Sequence, residues 1–151
     1  MTPDPHDPMH LAMIAAEAAA ARGEVPVGAV ILGPDGQVIT QAGNRIVELH
    51  DPTAHAEMLV IREAAHALGN ERLTGCELYV TLEPCAMCAG AISFARLRKV
   101  HFAASDPKGG AVLHGPKFFE QPTCHHRPEV EQGHLAHASA ELLRAFFRAR
   151  R

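Results

Sequence analysis

The chain has 151 residues, of which 47% are hydrophobic and 21% are charged, and its formal net charge is −3. These values predict one globular domain with a sizeable core, spanning residues 1–151, and show no basic character that would indicate binding to DNA. No apolar stretch reaches the roughly 20 residues that a membrane helix needs, and the first residues do not resemble a signal peptide. We therefore expect a cytoplasmic protein with no membrane partner, whose four cysteines serve metal or catalytic chemistry rather than disulfides.

The spacing of apolar residues, prolines and glycines predicts alternating helices and strands after a flexible arm over residues 1–8. The predicted elements are a helix over Met9–Arg22, strands over Val25–Leu32 and Gln37–Ala42, a helix over His55–Leu68, a strand over Glu77–Leu82, a helix from Pro84 to about Arg96, a strand over Lys99–Ala104, a short strand over Glu129–Glu131 and a last helix from His134 onward. Loops are expected over 43–53 and 105–128. This order predicts an α/β fold with one sheet covered on both faces.

Two short segments contain side chains typical of a zinc centre, namely Thr53-Ala54-His55-Ala56-Glu57 and Glu83-Pro84-Cys85-Ala86-Met87-Cys88. Cys85 and Cys88 are three residues apart at the start of a predicted helix, so their sulfurs project to one face. The positive end of the helix favours their thiolates. With His55 they make three protein ligands, and three ligands leave the fourth position of a zinc ion for water, as in catalytic sites.

Glu57 lies close enough in sequence to move protons beside that metal. In a regular helix His55 and Glu57 would point to nearly opposite sides, so we expect His55 to lie at the first turn or just before it. A lone His-x-Glu is usually a surface pair, and a lone Cys-x-x-Cys can be a redox pair or half of a structural zinc site. Their combination favours one catalytic zinc ion per chain.

The remaining cysteines are interpreted differently. Cys124-His125-His126 offers a second cluster of metal-ligating side chains, but we interpret it as part of a loop without metal. Cys76 is interpreted as a buried thiol at the edge of a strand.

Several longer segments resemble the bacterial tRNA-specific adenosine deaminases, a family of zinc nucleobase deaminases. The similar segments are Glu24–Val30, Gly43–Arg45, Asp51–Glu57, Tyr79–Ala91 and Phe146–Arg148, and the resemblance extends from about Met9 to Arg150. It implies the three-layer α/β/α fold of the cytidine deaminases, with a mixed five-stranded central sheet. It also implies a homodimer that converts the wobble adenosine of a tRNA anticodon loop to inosine.

The same resemblance assigns roles to individual residues. His55, Cys85 and Cys88 are implied to bind Zn²⁺, and Glu57 to carry protons between the attacking water and the ring nitrogen of the base. The implied substrate contacts are Asn44 with the flipped base, Asp106 and Lys108 with the anticodon backbone, and Phe147 and Arg148 on the last helix. The stretch from Val112 to Arg127 is longer than in the family. It contains Phe118-Phe119, which, like Phe146-Phe147, can either stack on RNA bases or pack in the core.

Two other functions stay open at this point. A deaminase of free guanine, cytosine or a nucleotide would share the zinc motifs, whereas the arginines at 144, 148, 150 and 151 favour RNA. A non-catalytic zinc module that binds RNA would need four protein ligands and no Glu57. The riboflavin-pathway deaminases are disfavoured, because they have more residues between the two cysteines.

Overall fold

A computed structural model of the protein describes residue 4 and residues 6–150. Its elements are α1 (Pro8–Ala21), β1 (Gly28–Leu32), β2 (Val38–Gly43), α2 (Ala56–Leu68), β3 (Glu77–Leu82), α3 (Ala86–Ala95), β4 (Lys99–Ala104), a 3-10 turn (Phe118–Glu120), β5 (Glu129–Gln132) and α4 (Ala136–Arg148). Within this part of the chain, no helix is both long and apolar enough to cross a membrane.

The five strands form one mixed sheet in the order β2-β1-β3-β4-β5. The β1 strand is antiparallel to β2 and β3, whereas β3, β4 and β5 run parallel. Helices α1 and α4 cover one face, and α2 and α3 cover the other. The predicted α/β class, with three layers around a mixed five-stranded sheet, is therefore confirmed.

The β1 strand shows why its sequence is apolar throughout. Ala29 and Ile31 pack in the larger core cluster beneath α2 and α3, while Val30 and Leu32 pack on the opposite face against α1. All five residues of the strand are buried. A strand covered on both faces gives a continuous apolar run, rather than the alternation of a half-exposed strand.

The alanine-rich α1 lies unusually close to the sheet. A Cβ atom on Gly28 would stand 1.9 Å from the carbonyl oxygen of Ala12 and 2.6 Å from the backbone nitrogen of Ala16. Both neighbours are backbone atoms, which cannot turn aside as a side chain can. Small residues on both surfaces thus set the distance between helix and sheet.

The first helix begins earlier than its pattern predicts, at Pro8. The Asp7 side chain accepts a hydrogen bond from Met9 N at 3.0 Å and caps the helix, and Pro8 occupies the first helical position that proline favours. The prediction of a flexible arm is therefore wrong at Asp7 and Pro8. The remainder of that arm, residues 1–3 and 5, lies outside the described residues.

Two further boundaries differ because of prolines. The β1 strand begins at Gly28 instead of Val25, because Pro26 has no N–H for a strand ladder and Val27 N bonds back to Val25 O at 2.8 Å. Pro84 does not open α3, as its sequence position predicts. The cap of that helix is Cys85, in an extended conformation, and Pro84 lies before it.

Candidate active site

The starts of α2 and α3 bring three metal-ligating side chains together. His55 is the N-cap of α2 with φ −70° and ψ 151°, and Cys85 is the N-cap of α3 with φ −75° and ψ 176°. Cys88 is buried in the first turn of α3. Because α2 and α3 pack side by side on the sheet, their first turns meet. His55 thus lies just before its helix, as the shared site with Glu57 requires.

The distances within this cluster fit a tetrahedral zinc ion. His55 Nδ1 lies 3.7 Å from Cys85 Sγ and 3.6 Å from Cys88 Sγ. Usual zinc bond lengths and a tetrahedral angle give a nitrogen–sulfur separation of about 3.6 Å. Among the residues that the structure describes, no other three histidine, cysteine or acidic side chains are grouped closely enough to hold a metal ion. One nitrogen and two sulfurs are also the donor types that zinc prefers.

The two cysteines of the cluster differ in pKa. The pKa of Cys85 is lowered to about 4, mainly by a hydrogen bond from Cys88 and also by one with His55. Burial of the Cys85 thiol opposes this shift. The hydrogen bond with Cys85 and burial raise the pKa of Cys88. A metal ion at the cluster would favour the thiolate form of both.

Glu57 lies in the first turn of α2 and is 4% exposed. Burial raises the pKa of its carboxyl group to about 7. A carboxyl group of this kind can both take up and release a proton near neutral pH.

His55, Glu57 and Cys85 line a cavity of about 270 Å³. The cavity lies where β3 and β4 end, the edge at which α/β sheets usually bind ligands. Its walls include the loop after β2 and the loop after β4. The residues that complete the lining are Val25, Val27, Asn44, Ile46, Leu82, Glu83, Asp106 and Gly109. The volume is near the lower end for small-ligand sites.

Asn44 is buried in the wall of this cavity and also supports α2. Its Oδ1 accepts a hydrogen bond from Ala56 N at 2.8 Å. It thus caps the helix in place of His55, which makes no capping bond with its side chain. This bond fixes the orientation of the amide, whose nitrogen can donate a hydrogen bond to a ligand.

Asp106 and Lys108, which are expected at the nucleic-acid backbone, have different environments on the loop after β4. Asp106 lines the cavity, and its Oδ1 accepts hydrogen bonds from the backbone nitrogens of Lys108 at 3.2 Å and Gly109 at 3.0 Å. Lys108 is exposed on the outer side of the same turn and does not line the cavity.

The two phenylalanines near the end of α4 have different environments. Phe146 is buried at 8% exposure, whereas Phe147 is 47% exposed. Phe147 lines a groove of about 250 Å³ together with Asp106 and Leu82, and both of these also line the cavity. Phe147 can therefore contact a ligand that extends out of the cavity, and Phe146 belongs to the core.

The arginines of α4 are also not equivalent. Arg144 pairs with Glu141, and the guanidinium of Arg150 lies 3.5 Å from the centre of the Phe146 ring. Arg148 borders a surface hollow beside Phe147. Arg151 lies outside the described residues.

The Cys124-His125-His126 segment is fastened to the end of α3. Cys124 Sγ is 3.5 Å from Ser93 Oγ and 3.2 Å from the carbonyl oxygen of His126. His126 Nε2 is 2.6 Å from the carbonyl oxygen of Leu97. The Cys124 thiol and the His126 ring thus have structural partners.

Two further sequence predictions concern residues of the core. Phe118 and Phe119 pack against the larger core cluster, so these rings are not placed for stacking on a substrate. Cys76 is fully buried directly before β3, as its sequence position predicts.

One acidic side chain of the cavity was missed by the sequence patterns. The Glu83 carboxylate is buried in the cavity wall.

Comparison with known proteins agrees with this geometry. The model of the cytidine and deoxycytidylate deaminase zinc-binding region matches residues 4–104. The tRNA-specific adenosine deaminase of Agrobacterium fabrum is 59% identical over 143 residues, covering 95% of this chain and 93% of that protein. The chain therefore belongs to the family of zinc-dependent cytidine and deoxycytidylate deaminases.

Solved structures show the same relationship. A structure from a study of A-to-I editing by tRNA:A34 deaminases has a TM-score of 0.88 and 59% identity, covering 90% of this chain and 98% of that one. Guanine deaminase from Nitrosomonas europaea is more distant, with a TM-score of 0.75 and 25% identity, covering 97% of this chain and 86% of that one.

Proposed function

We propose that this protein is a zinc-dependent hydrolase that converts adenosine to inosine at the wobble position of a tRNA anticodon, with one Zn²⁺ per chain. The observation that supports it most directly is the His55, Cys85 and Cys88 cluster with buried Glu57 beside it in the same cavity. The tRNA-specific relative from Agrobacterium fabrum and the A34 deaminase structure favour a tRNA substrate.

The chemistry is divided between the metal and Glu57. When bound at the three side chains, zinc supplies a Lewis acid that activates water at neutral pH. Glu57 accepts the proton of the attacking water and gives it to the ring nitrogen of adenine next to the amino-bearing carbon. The oxygen of the water bonds to the amino-bearing carbon, and Glu57 passes the remaining hydroxyl proton to the amino group. The carbon–nitrogen bond then breaks, ammonia leaves, and the base becomes hypoxanthine. Positioned proton transfer of this kind accounts for about 10²–10⁴ in rate.

The cavity wall and the groove suit a base that is extruded from a single strand. Asn44 can donate a hydrogen bond from its amide nitrogen to an acceptor on the base. The groove adjoins the cavity at Asp106 and is also lined by the exposed ring of Phe147. Stacking of a neighbouring base on such a ring contributes about 1–3 kcal/mol. Arg148 borders a surface hollow beside Phe147, and its guanidinium can pair with a phosphate.

Deamination of a free base is the second candidate, and the similarity to the guanine deaminase of Nitrosomonas europaea favours it. A free base would occupy the cavity but not the groove beside it. The groove adjoins the cavity at Leu82 and Asp106, which line both, and this supports the RNA substrate over the alternative.

The experiment that tests the proposal uses the purified full-length protein and an anticodon stem-loop with adenosine at the wobble position. Mass spectrometry of the digested RNA should show inosine at that position and no change in an identical stem-loop carrying cytidine there. Free guanine, free cytosine and free adenosine serve as parallel substrates. Deamination of a free base with an unchanged stem-loop would establish the second candidate. Release of no ammonia from any of them would favour a non-catalytic zinc module.

We further propose that the protein acts as a homodimer in the cytoplasm. The dimer rests on the family resemblance. Light scattering at the micromolar concentrations used for the activity assay should give twice the chain mass of 16.2 kDa. An active species with the mass of a single chain would refute the dimer.

A further inference from the structure

The carboxylate of Glu83 receives an unusual number of hydrogen bonds. Glu83 follows the last residue of β3, and its side chain is completely buried. Oε1 accepts from Asp106 N at 2.9 Å and His114 Nδ1 at 2.8 Å. Oε2 accepts from the backbone nitrogens of Val112 at 3.1 Å, Leu113 at 2.9 Å and His114 at 3.2 Å.

All of these donors belong to one segment, residues 106–114, which we call the rim segment. It follows β4 and bends around the Glu83 carboxylate. Four of the five donors are backbone N–H groups, so the carboxylate fixes the path of the chain rather than a single side chain. Ala111 N adds a bond to the carbonyl oxygen of Pro84, the next residue after Glu83, at 2.8 Å.

The rim segment passes so close to Glu83 that one position has no room for a side chain. A Cβ atom on Gly110 would lie 2.4 Å from the carboxyl carbon of Glu83 and 2.6 Å from the carbonyl oxygen of Asp106. A glycine is therefore needed where the segment crosses the carboxylate.

The rim segment also forms one wall of the active-site cavity, through Asp106 and Gly109. Glu83 borders the same cavity and is two residues from Cys85, which lies in the metal-ligating cluster. The carboxylate thus connects the wall of the cavity to the part of the chain that holds the cluster.

We propose that Glu83 is a positioning residue that holds the rim segment in the shape that receives the substrate strand. This inference rests on the proposed function. Five donors surround the carboxylate, and a carboxylate accepts hydrogen bonds with both of its oxygens. An amide of the same shape would turn an NH₂ group toward N–H donors and leave them without acceptors.

The test replaces Glu83 by glutamine in the full-length zinc-loaded protein, with an anticodon stem-loop as substrate. We expect zinc content to stay at the wild-type value and KM to rise about tenfold, since a lost hydrogen bond to a charged group changes an equilibrium by about that factor. The kcat should stay within about twofold, because a rim segment that binds the substrate strand equally in the ground state and the transition state affects KM alone. Amide hydrogen exchange of residues 112–114 should accelerate.

Two further variants make the result specific. His114→Ala removes the one side-chain donor and should give a smaller rise in KM. Glu77→Gln is the matched control, because Glu77 opens the same strand, six residues or about 20 Å from Glu83. Glu77 bonds Arg98 and His101 at the opposite edge of the sheet. This variant should lower thermal stability without changing KM.

The possible outcomes distinguish failure of the positioning role from failure of the proposed function. Inosine formation by the wild type, together with an unchanged KM in Glu83→Gln, overturns the positioning role and leaves the proposed function standing. A loss confined to kcat also overturns it, because Glu83 would then act in the chemical step. A wild-type protein that leaves the stem-loop unchanged overturns the proposed function and this inference with it.

Discussion

Replacement of Glu57 by glutamine separates proton transfer from metal binding. Glutamine has nearly the shape of glutamate, so the cavity and the first turn of α2 should be preserved. Glu57 is not among the three side chains of the metal-ligating cluster, so zinc content should stay near one ion per chain. The proton carrier is lost, however, and kcat should fall by at least about 10².

We expect the loss of kcat to lie toward the upper end of the 10²–10⁴ range that proton transfer contributes. Two other carboxylates line the cavity and could act as a replacement base. Both oxygens of Glu83 are occupied by the rim segment, and Asp106 Oδ1 accepts from two backbone nitrogens of its own turn. Glu83 is therefore not a ready substitute, and Asp106 has only Oδ2 left to accept a proton. We expect kcat to fall by about 10³–10⁴, equivalent to about 4–5 kcal/mol in the activation free energy.

The assay for Glu57→Gln is single-turnover conversion of the stem-loop to inosine, with metal analysis and circular dichroism on the same preparation. A variant that keeps its zinc and turns over within about tenfold of wild type would refute the role of Glu57, because proton transfer contributes more than that. A variant that loses its zinc would instead indicate that Glu57 supports the metal site.

Five other variants test separate parts of the structure. Cys88→Ala should lose zinc and activity together by metal analysis, since two protein donors remain. Phe147→Ala should raise KM for the stem-loop about tenfold with little change in Tm, whereas Phe146→Ala should lower stability by about 3 kcal/mol because its ring is buried. Arg148→Ala should reduce the slope of log K against log salt by about 0.7 if the arginine contacts one phosphate. Gly28→Ala should lower Tm by about 6–12 °C in calorimetry, because a Cβ atom 1.9 Å from the α1 backbone costs about 3 kcal/mol.

Cys88→Ala and Arg148→Ala each have a matched control. Cys76→Ala removes a buried thiol outside the cluster and should retain zinc. Arg98→Ala removes an arginine that pairs with Glu77 at the opposite edge of the sheet and should retain the salt dependence. Zinc loss in the first control, or an equal change of slope in the second, would contradict the assigned roles. An unchanged Tm in Gly28→Ala would contradict the close packing of α1.

The central strands and the metal-ligating cluster could be predicted because their signals are local. The β3 and β4 strands have the bounds that their apolar runs predict, Glu77–Leu82 and Lys99–Ala104. The position of His55 before its helix also followed from local geometry, because His55 and Glu57 can share a site only there.

Other features could not be predicted because they depend on contacts between distant segments. Glu83 appears in sequence only as an acidic residue after an apolar strand, and its partners lie 23–31 residues further along the chain. Asn44 caps a helix that begins 12 residues later, which no local capping pattern shows. The different burial of Phe146 and Phe147 likewise depends on how α4 docks on the sheet. The early start of α1, by contrast, had a local signal in Asp7-Pro8.

The chain order of the site suggests how its chemistry and its contacts with the strand outside the cavity could be exchanged independently. His55, Glu57 and both cluster cysteines precede the end of β4 at Ala104, whereas the rim segment and α4 follow it. A hybrid protein could therefore keep residues up to Ala104 and take its remaining third from a relative with another substrate. The contact between Gly110 and Glu83 restricts which segments can be joined. The transplanted segment must have a glycine at the position of Gly110 and must bend around the Glu83 carboxylate, or the two parts will not fit together.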